Sequence, residues 1–419
     1  MGNMEQAILV YVDLMGIPMK VGQLWGRFRN GRESMSFEYD RDWLNHPKRF
    51  SLDPALKLVA GSFHAASDKP LFGAIDDSAP DRWGRLLMRR SERKNAEHEK
   101  RTARALKEMD FLLMVDDEGR QGALRFKREE QGPFLTTYDK NHIPPLVSVG
   151  KLLTAASHVM QDSDTEDDLR LLLAPGSSLG GARPKSSVRD KDGHLAIAKF
   201  PRKDDEINII AWEAVALSLA NKAGIKVPEW RIETVARQQI LLSRRFDRRK
   251  NIRIPFLSAM SVLGAKDNEM HSYLEIADAI RQMSASPKED LEALWRRIVF
   301  NVLISNVDDH LRNHAFLYSG LSGWRMSPAY DLNPTPTDIK PRILSTAIDL
   351  IDPSASLDVA ASVAYYFDLD NFQAKNIFKE VGSATALWRE EATKLKIKKT
   401  EIDRMASAFE HEDLQKAVQ

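Results

Sequence analysis

The feature that most constrains this chain is an apolar stripe that ends at a dense polar cluster. The stripe has the spacing of one helix face and comprises Leu291, Leu294, Trp295, Ile298, Val299, Val302 and Leu303. We therefore predict a buried helix. It leads into Asn306-Val-Asp-Asp-His-Leu-Arg-Asn313, where carboxylate, imidazole and amide groups crowd together. Such density after so apolar a helix favours a functional site over capping and turn formation alone.

Length and composition indicate a multidomain globular protein. A chain of 419 residues exceeds one ordinary core and suggests two or three domains. Hydrophobic residues make up 43% and charged residues 29%, which is typical of globular proteins. The sequence contains no cysteine, which excludes disulfides, thiolate metal sites and a cysteine nucleophile. The net charge of +1 favours no class of partner.

The sequence shows neither a membrane span nor a signal peptide. The apolar run near the start, Ala7 to Val12, is short and ends at Asp13. No basic n-region precedes it. We expect a cytoplasmic protein that does not contact a membrane.

The first part is predicted to be rich in strands. Ala7 to Val12, Lys20 to Phe28 and Ser34 to Tyr39 have strand character, with a turn signal at Asn30-Gly31. A helix is predicted from Arg82 to Lys107, where ten Lys or Arg accompany three Asp or Glu. This basic segment is either a solvated helix surface or a face that attracts nucleic acid or an acidic protein.

The middle of the chain predicts a small sheet and one helix. Ser186 to Arg189 and Leu195 to Phe200 are candidate strands, and Gln239 to Ser243 is a third. Leu195, Ile197 and Lys199 share one face of the second strand. A helix capped by Asp204 or Asp205 is predicted to run to about Ala223.

The last part is predicted to be mainly helical. Candidate helices are Tyr273 to Met283, Asn371 to Val381 and Thr400 to Phe409. A short hairpin is predicted to join Ala315–Tyr318 to Trp324–Met326 and to lead to Tyr330-Asp331.

Phosphoryl transfer requires a loop that approaches phosphates, a cation on a rigid strand, oxygen ligands for Mg²⁺ and a carboxylate near the acceptor. Gly180 and Gly181 suit the loop, although a flexible surface loop is the alternative. The segment is not a Walker A loop, because Lys185 does not follow a glycine. Burial of the Lys199 side chain would be costly without an anionic partner. That partner is either a phosphate or a carboxylate such as Glu213. The alternative is an edge strand that exposes Lys199 to solvent.

The polar cluster supplies the remaining groups. Asp and Asn oxygens suit Mg²⁺, and one Asp could instead orient or deprotonate a hydroxyl. The candidates are Asp308, Asp309, Asn313 and Asp331. His310 and His314 lack the His-Glu-x-x-His pattern of zinc hydrolases.

These residues resemble the HipA-like serine/threonine kinases. The matching motifs keep the family's order between about Gly176 and Pro334, and Pro80-Asp-Arg-Trp-Gly-Arg85 is a looser match upstream. They are Ser178-Leu-Gly-Gly-Ala-Arg-Pro-Lys185, Ala198-Lys-Phe-Pro201, Arg245-Phe-Asp-Arg248, Asp308-Asp-His-Leu-Arg-Asn313 and Tyr330-Asp331.

The resemblance implies an α+β, kinase-like two-lobe fold. Its N-lobe would contain β-structure and carry an extra N-terminal subdomain, and its C-lobe would be all-helical. The implied divisions are an N-terminal α/β subdomain at 1–113, an N-lobe with the phosphate loop at 114–247, and a C-lobe at 248–419.

The resemblance also implies the site residues for ATP and Mg²⁺. Asp308 would be the catalytic base, and Asn313 and Asp331 the Mg²⁺ ligands. The phosphate loop would comprise Gly180, Gly181, Ala182, Arg183, Pro184 and Lys185. Lys199 would contact the phosphates, backbone groups of Arg244, Arg245 and Phe246 would hold adenine, and His310 and Tyr330 would lie at the nucleotide. Asp309 departs from the best-known member, and Asp308 is favoured as the base because Asp-x-His-x-x-Asn then aligns.

The implied activity is that of a toxin in a toxin–antitoxin pair. It would phosphorylate a translation-related protein, for which an aminoacyl-tRNA synthetase is the expected candidate. It would also phosphorylate itself at Ser178 or the adjacent Ser177. The implied partner is a HipB-like helix-turn-helix antitoxin, through which it would meet DNA. The alternatives are a catalytically silent nucleotide-binding partner of a DNA-binding antitoxin and a small-molecule kinase.

Overall fold

The computed structural model describes residues 4–29, 32–136, 143–174 and 181–419. The chain divides into two compact units whose segments alternate along the sequence. Unit 1 comprises Met1–Lys203 and Thr234–Leu257, and unit 2 comprises Asp204–Glu233 and Ser258–Gln419. The divisions after residues 113 and 247 come from the family resemblance and not from the contacts within the chain, so they stay a prediction.

Unit 1 contains a five-stranded antiparallel sheet. Its hydrogen-bonded order is Ser62–His64, Arg32–Tyr39, Ile17–Arg29, Met4–Leu14 and Leu124–Lys127. The predicted strands of the first part are thus confirmed. Residues such as Ile8, Val10, Leu24 and Phe37 are buried in this sheet. The predicted turn residues Asn30 and Gly31 lie outside the described residues.

A second sheet of four strands carries the phosphate-loop motif. Its order is Lys185–Arg189, Leu195–Lys199, Gln238–Arg244 and Trp230–Val235, and the chain passes from unit 2 to unit 1 within the last of these. The first three pair antiparallel, which confirms the predicted strands. A further two-stranded ribbon joins Arg248–Arg249 to Ile252–Arg253.

The helices of unit 1 are Arg41–Asn45, Gly73–Asp76, Arg82–His98, Glu108–Met114, Val149–Met160 and Glu166–Leu173. The helix predicted from Arg82 to Lys107 ends at His98. The reason is that Lys100 adopts a left-handed conformation (φ +53), and the amide of Arg101 then bonds back to the carbonyl oxygen of Ala96 at 2.9 Å. A lysine at this position gives no stop signal in the sequence.

Unit 2 is mainly helical, as expected, but it is not all-helical. Its strands are the predicted hairpin Ala315–Tyr318 with Trp324–Met326, and the parallel pair His271–Ser272 with Thr346–Ala347. Phe256–Ser258 is a strand at the point where the chain enters unit 2. The helices are Ile209–Lys222, Ala259–Val262, Tyr273–Met283, Pro287–Leu303, Leu357–Ser362, Asn371–Thr385, Trp388–Lys394, Lys399–Arg404, Ala406–Phe409 and Glu412–Val418.

The helix Pro287–Leu303 forms the core of unit 2. Every member of the predicted apolar stripe is fully buried. Trp295 packs against Phe367 and Phe378 at ring-centroid distances of 5.3 and 5.9 Å. Pro287 occupies the first turn, where its missing N–H costs nothing. The end of this helix is therefore held rigidly where the polar cluster begins.

One helix start differs from its prediction. The helix Ile209–Lys222 is capped by Asn208, whose side chain accepts a hydrogen bond of 3.1 Å from the amide of Ala211. Asp204 and Asp205 precede this cap. The helix ends near Ala223 as predicted, and Gly224 follows it with φ +75, a conformation that suits the end of a helix.

No helix in the described ranges is both long and apolar enough to span a bilayer.

Candidate active site

A tight turn carries the chain from the core helix of unit 2 to the polar cluster. Ser305 has φ +50, and the amide of Asn306 bonds back to the carbonyl oxygen of Asn301 at 2.9 Å. Both turn residues are fully buried. The Asn306 side chain also donates to the Oδ1 atom of Asn301 at 3.0 Å. The cluster that follows is thus anchored to the last turn of the helix.

The two adjacent aspartates of the cluster have opposite environments. The side chain of Asp308 is 62% exposed, and its Oδ1 atom lies 3.4 Å from the Nζ atom of Lys340. Asp309 is buried, and its Oδ2 atom accepts hydrogen bonds from Tyr273 at 2.5 Å, Asn301 at 2.8 Å and His314 at 2.6 Å. The Asp308 carboxylate is therefore open to solvent, whereas the Asp309 carboxylate is bonded within the interior.

Charge and hydrogen bonding keep Asp309 ionised inside the protein. Burial alone would raise its pKa, but the neighbouring His314 and the donated hydrogen bonds hold the pKa below its usual value. The same contact acts in reverse on Tyr273, whose pKa is raised by burial and by the Asp309 charge. Asp309 thus serves as a buried anion that three donors satisfy.

Asn313 ends a short 3₁₀ turn, Leu311–Asn313, directly after this pair. Its amide donates to the carbonyl oxygen of His310 at 2.8 Å, and its Nδ2 atom donates to the carbonyl oxygen of Asp308 at 3.3 Å. Within the described ranges its Oδ1 atom accepts no hydrogen bond. The side-chain oxygen is thus available to a cation.

Asp331 is held beside this loop from both sides. The hydroxyl of Tyr330 donates to the carbonyl oxygen of Arg312 at 2.6 Å, and the amide of Asn333 donates to the Oδ1 atom of Asn306 at 3.3 Å. Asp331 itself has φ +58, a left-handed conformation that Asp tolerates better than most residues. Its Oδ1 atom accepts from the Nδ2 atom of Asn333 at 3.3 Å.

The donor set of this site fits Mg²⁺. The side-chain oxygens of Asn313 and Asp331 are hard ligands of the kind that Mg²⁺ prefers, and Asp308 supplies a further carboxylate nearby. Among the described residues no group of three or more His, Cys, Asp and Glu has the geometry of a metal site. Mg²⁺ sites in proteins commonly use only one or two carboxylates and are completed by substrate phosphates.

His310 and Tyr330 lie at the same loop. The amide of His310 donates to the carbonyl oxygen of Asp308 at 3.0 Å, which closes the turn behind the exposed carboxylate. The Nδ1 atom of His310 is buried and has no hydrogen-bond partner among the described residues. Both residues assigned to the nucleotide thus border the loop that carries Asp308 and Asn313.

The phosphate-loop motif lies in unit 1 and is described from Gly181 onward. Gly180, Ser178 and Ser177 lie outside the described residues. Gly181 has φ +93, a conformation that favours glycine. Ala182 is exposed and Arg183 half-buried, whereas Pro184 and Lys185 are buried.

Lys185 and Lys199 are direct cross-strand partners in the four-stranded sheet. Lys185 also lies 2.9 Å, Nζ to Oδ2, from the buried carboxylate of Asp81. Lys199 ends its strand half-buried, and the neighbouring Ala198 is fully buried on the other face. The two lysines thus lie side by side in the sheet, and Lys185 is already paired with a carboxylate.

The segment predicted to hold adenine is fixed by a buried ion-pair network. Arg245 is bonded to Asp247 at 2.9 and 2.6 Å and to the carbonyl oxygens of Gly119 and Arg120 at 2.6 and 3.1 Å. Its amide donates to the carbonyl oxygen of Leu195 at 3.0 Å, so this N–H is engaged in the sheet. Arg245 therefore contributes a scaffold, and its backbone N–H is not available to a ligand.

The flanking residues of this segment have separate surroundings. Arg244 lies 3.9 Å from the carboxylate of Asp192, and Phe246 stacks on Phe256 at a ring-centroid distance of 6.5 Å.

Several basic side chains of the 82–107 segment are engaged inside unit 1. Ion pairs join Arg85 to Glu108, Arg90 to Asp162 and Asp164, Arg101 to Glu92, and Arg104 to Asp110. Arg89 and Lys107 lie over the rings of Phe111 and Phe28. The segment therefore offers much less free positive charge than its sequence suggests, which favours the interpretation as an ordinary helix surface.

Two family models match most of the chain. The model described as the HipA-like C-terminal domain matches residues 177–389, which is half of the sequence, and the HipA N-terminal domain model matches residues 17–127. The chain belongs to the HipA family. The resemblance inferred from the motifs is confirmed.

Curated relatives of this HipA-family chain are named as kinases. The Sinorhizobium fredii protein "Putative kinase Y4mE" is 24% identical over 408 residues, which covers 89% of this chain and 87% of that protein. A Haemophilus influenzae protein named "Putative kinase" is 26% identical over 178 residues, covering 37% of this chain and 52% of that protein.

A solved HipA structure shares the fold. The Shewanella oneidensis MR-1 toxin–antitoxin complex of HipA, HipB and operator DNA contains a chain that matches with a TM-score of 0.65 at 16% identity. The match covers 98% of this chain and 96% of that one. The predicted kinase-like fold with an N-terminal subdomain is therefore confirmed.

Sequence reasoning missed three groups at these sites. Two of the three partners of Asp309, namely Tyr273 and Asn301, come from two helices that no local pattern connects. Lys340 lies beside Asp308 in a loop without a motif. The pairing of Asp81 with Lys185 was also missed. One indication that Asp81 matters was present in the sequence, because it lies in the motif Pro80 to Arg85.

Proposed function

We propose that this HipA-family protein is a serine/threonine protein kinase that uses ATP and Mg²⁺. The observation that carries the proposal is the loop with an exposed Asp308, a buried Asp309 and an Asn313 oriented by the Asp308 carbonyl. Asp331 is tied beside this loop at Tyr330 and Asn333. This combination would supply a base that is open to substrate and two oxygen ligands on neighbouring segments.

In the proposed reaction Asp308 accepts the proton of the acceptor hydroxyl. The hydroxyl oxygen bonds to the γ-phosphorus of ATP as the bond to the β–γ bridging oxygen breaks, which leaves ADP. Bound Mg²⁺ would neutralise charge on the phosphate oxygens. Asn313 and Asp331 would hold the ion, and Asn333 would orient the Asp331 carboxylate.

The nucleotide residues of unit 1 extend the proposal. Gly181 to Lys185, with Gly180, would form the phosphate loop, and Lys199 would contact the phosphates. Backbone groups from Arg244 to Phe246 would hold adenine on the scaffold that Arg245 and Asp247 build. The proposed functional lobes are residues 114–247 and 248–419.

The proposed biological role is that of a toxin. A HipB-like antitoxin would be the partner and would bring the chain to operator DNA. The solved Shewanella structure is a complex of HipA, HipB and operator DNA, which supports this proposal. The acceptor would be a translation-related protein such as an aminoacyl-tRNA synthetase. Ser178, or the adjacent Ser177, would be phosphorylated in the protein itself, and the added negative charge would oppose ATP.

Labelled ATP tests the proposal directly. Purified protein with Mg²⁺ and γ-labelled ATP should label serine or threonine in itself or in lysate proteins. Asp308→Asn should abolish the label without loss of ATP binding. Asp358→Asn is the matched control, because Asp358 is likewise exposed and paired with a lysine, Lys416, at 2.7 Å.

Two results would contradict the proposal. ATP binding without any labelled protein would favour the catalytically silent partner of an antitoxin. Label that enters lysate metabolites and no protein would favour a small-molecule kinase.

A further inference from the structure

The motif Pro80-Asp-Arg-Trp-Gly-Arg85 starts the longest helix of unit 1, Arg82–His98. Asp81 caps this helix, and its Oδ1 atom accepts a hydrogen bond of 2.8 Å from the amide of Gly84. The motif lies within the match to the HipA N-terminal domain, not within the C-terminal domain that carries the phosphate loop. Its position nevertheless gives it two contacts with that loop.

The first contact is a buried ion pair. The second carboxylate oxygen of Asp81, Oδ2, lies 2.9 Å from the Nζ atom of Lys185, and both side chains are about 95% buried, at 6% and 5% exposure. One carboxylate therefore caps the helix and neutralises the last residue of the phosphate loop. A pair so enclosed has a fixed geometry, unlike an exposed pair.

The second contact comes from Trp83, which is 1% exposed. Its indole Nε1 atom donates to the carbonyl oxygen of Lys185 at 3.0 Å, and its amide donates to the carbonyl oxygen of Gly181 at 3.4 Å. Trp83 thus contacts both ends of the described loop, although it precedes Lys185 by 102 residues. The loop path from Gly181 to Lys185 is defined by the start of this helix.

The negative charge of Asp81 also reduces the repulsion between two neighbouring lysines. Lys185 and Lys199 face each other across neighbouring strands, and like charges in this position repel. Asp81 offsets one of the two, so the lysines can stay adjacent before a nucleotide binds.

We propose that Asp81 and Trp83 are positioning residues for the phosphate loop, so that the N-terminal domain completes the ATP site. This inference rests on the proposed kinase function. Asp81 holds the Lys185 side chain in place, and Trp83 holds the loop backbone at Gly181 and Lys185. Neither residue has to touch ATP itself.

Two variants test the inference, each by removing one of these contacts. Asp81→Asn keeps a good helix cap and removes the charge that holds Lys185. Trp83→Phe keeps a buried ring and removes the indole donor. Each should raise the KM for ATP and the Kd of a non-hydrolysable ATP analogue about ten-fold, with kcat changed less than three-fold.

The matched control is Glu108→Gln. Glu108 forms a bidentate pair with Arg85 on the same helix, at 2.7 and 2.6 Å, without contacting the phosphate loop. The Glu108→Gln variant should have a lower melting temperature than the wild-type protein and an unchanged KM for ATP. The double variant Asp81→Asn with Lys185→Gln separates stability from positioning, because it removes both buried charges. It should recover much of the melting temperature that Asp81→Asn loses, while the KM for ATP stays high.

The outcomes separate this inference from the kinase proposal. If the wild-type protein binds the analogue and phosphorylates protein, but Asp81→Asn and Trp83→Phe keep the wild-type KM, the inference is wrong. A double variant that regains both stability and the wild-type KM would reduce the pair to a structural role. If the wild-type protein binds no ATP, the kinase proposal itself fails.

Discussion

The hydroxyl of Tyr330 donates a hydrogen bond of 2.6 Å to the carbonyl oxygen of Arg312, which joins the residue before Asp331 to the residue before Asn313. The two proposed Mg²⁺ ligands are thereby held in register by a contact that involves neither of them. This hydrogen bond fixes the position of the segment that contains Asp331 relative to the loop that contains Asn313. Neither sequence motif predicts it.

Tyr330→Phe should weaken the response to Mg²⁺ while the fold is kept. Loss of this one hydrogen bond should cost about 1 kcal/mol of stability and should raise the Mg²⁺ concentration needed for half-maximal activity several-fold. A Mg²⁺ titration of the phosphorylation rate measures the effect. Tyr366→Phe is the control, because its hydroxyl bonds the carboxylate of Asp278 at 2.9 Å on the exposed surface. An unchanged Mg²⁺ dependence in Tyr330→Phe would contradict the role of this contact.

The neighbouring aspartates should respond differently to the same substitution. Asp308→Asn should change the free energy of unfolding by less than about 0.5 kcal/mol, because its only side-chain contact within the described residues is exposed. Asp309→Asn should lose about 2 kcal/mol or more, since the buried donors of Tyr273, Asn301 and His314 lose a charged acceptor. Urea unfolding of both variants measures the two losses in the free energy of unfolding. Equal losses would show that the two environments are misassigned.

Asp331 should be sensitive to backbone strain as well as to charge. Asp331→Asn and Asp331→Ala both remove the proposed Mg²⁺ ligand and should abolish activity. The alanine variant should in addition be about 1 kcal/mol less stable than the asparagine variant, because φ +58 suits Asn better than Ala. Melting temperatures of the two inactive proteins provide the comparison, and identical values would argue against strain at this position.

His411 should make unit 2 sensitive to acid. Burial, reinforced by the charge of Arg342, lowers the pKa of His411 from 6.5 to about 4. Between these values the unfolded chain binds a proton that the folded chain excludes, so stability is complete above about pH 6.5 and falls as the pH drops towards 4. The loss should amount to about 1–3 kcal/mol.

Urea midpoints at several pH values between 7.5 and 4.5 would measure this loss. His411→Gln should flatten the dependence, whereas substitution of the exposed His98 should leave it in place. A wild-type slope in His411→Gln would assign the acid sensitivity to another group.

Local periodicity explains what the sequence predicted well. The stripe from Leu291 to Leu303 repeats at helical spacing, and burial of that stripe is the main force that positions it. The hairpin Ala315–Tyr318 with Trp324–Met326 was predictable because turn-forming residues separate two strand-like runs. The ordered motifs then placed Asp308, Asn313 and Asp331 in the same unit.

The remaining features depend on tertiary contacts. Which aspartate faces solvent is decided largely by the donors of Tyr273 and Asn301, which come from two helices that the sequence does not place next to Asp309. The role of Asp81 depends on a partner more than a hundred positions away. The helix stop at Lys100 depends on a backbone conformation that lysine rarely adopts.

The alternation of the two units along the chain has a practical consequence for anyone who cuts this gene. A fragment that stops at Lys203 would contain the strand Leu195–Lys199 without its partner Gln238–Arg244, and would leave one edge of that sheet open. A fragment that begins at Ser258 would lack the helix Ile209–Lys222, which belongs to the same unit. Reporter insertions and split-protein designs should therefore use surface loops within a unit and keep all three crossings between the units intact.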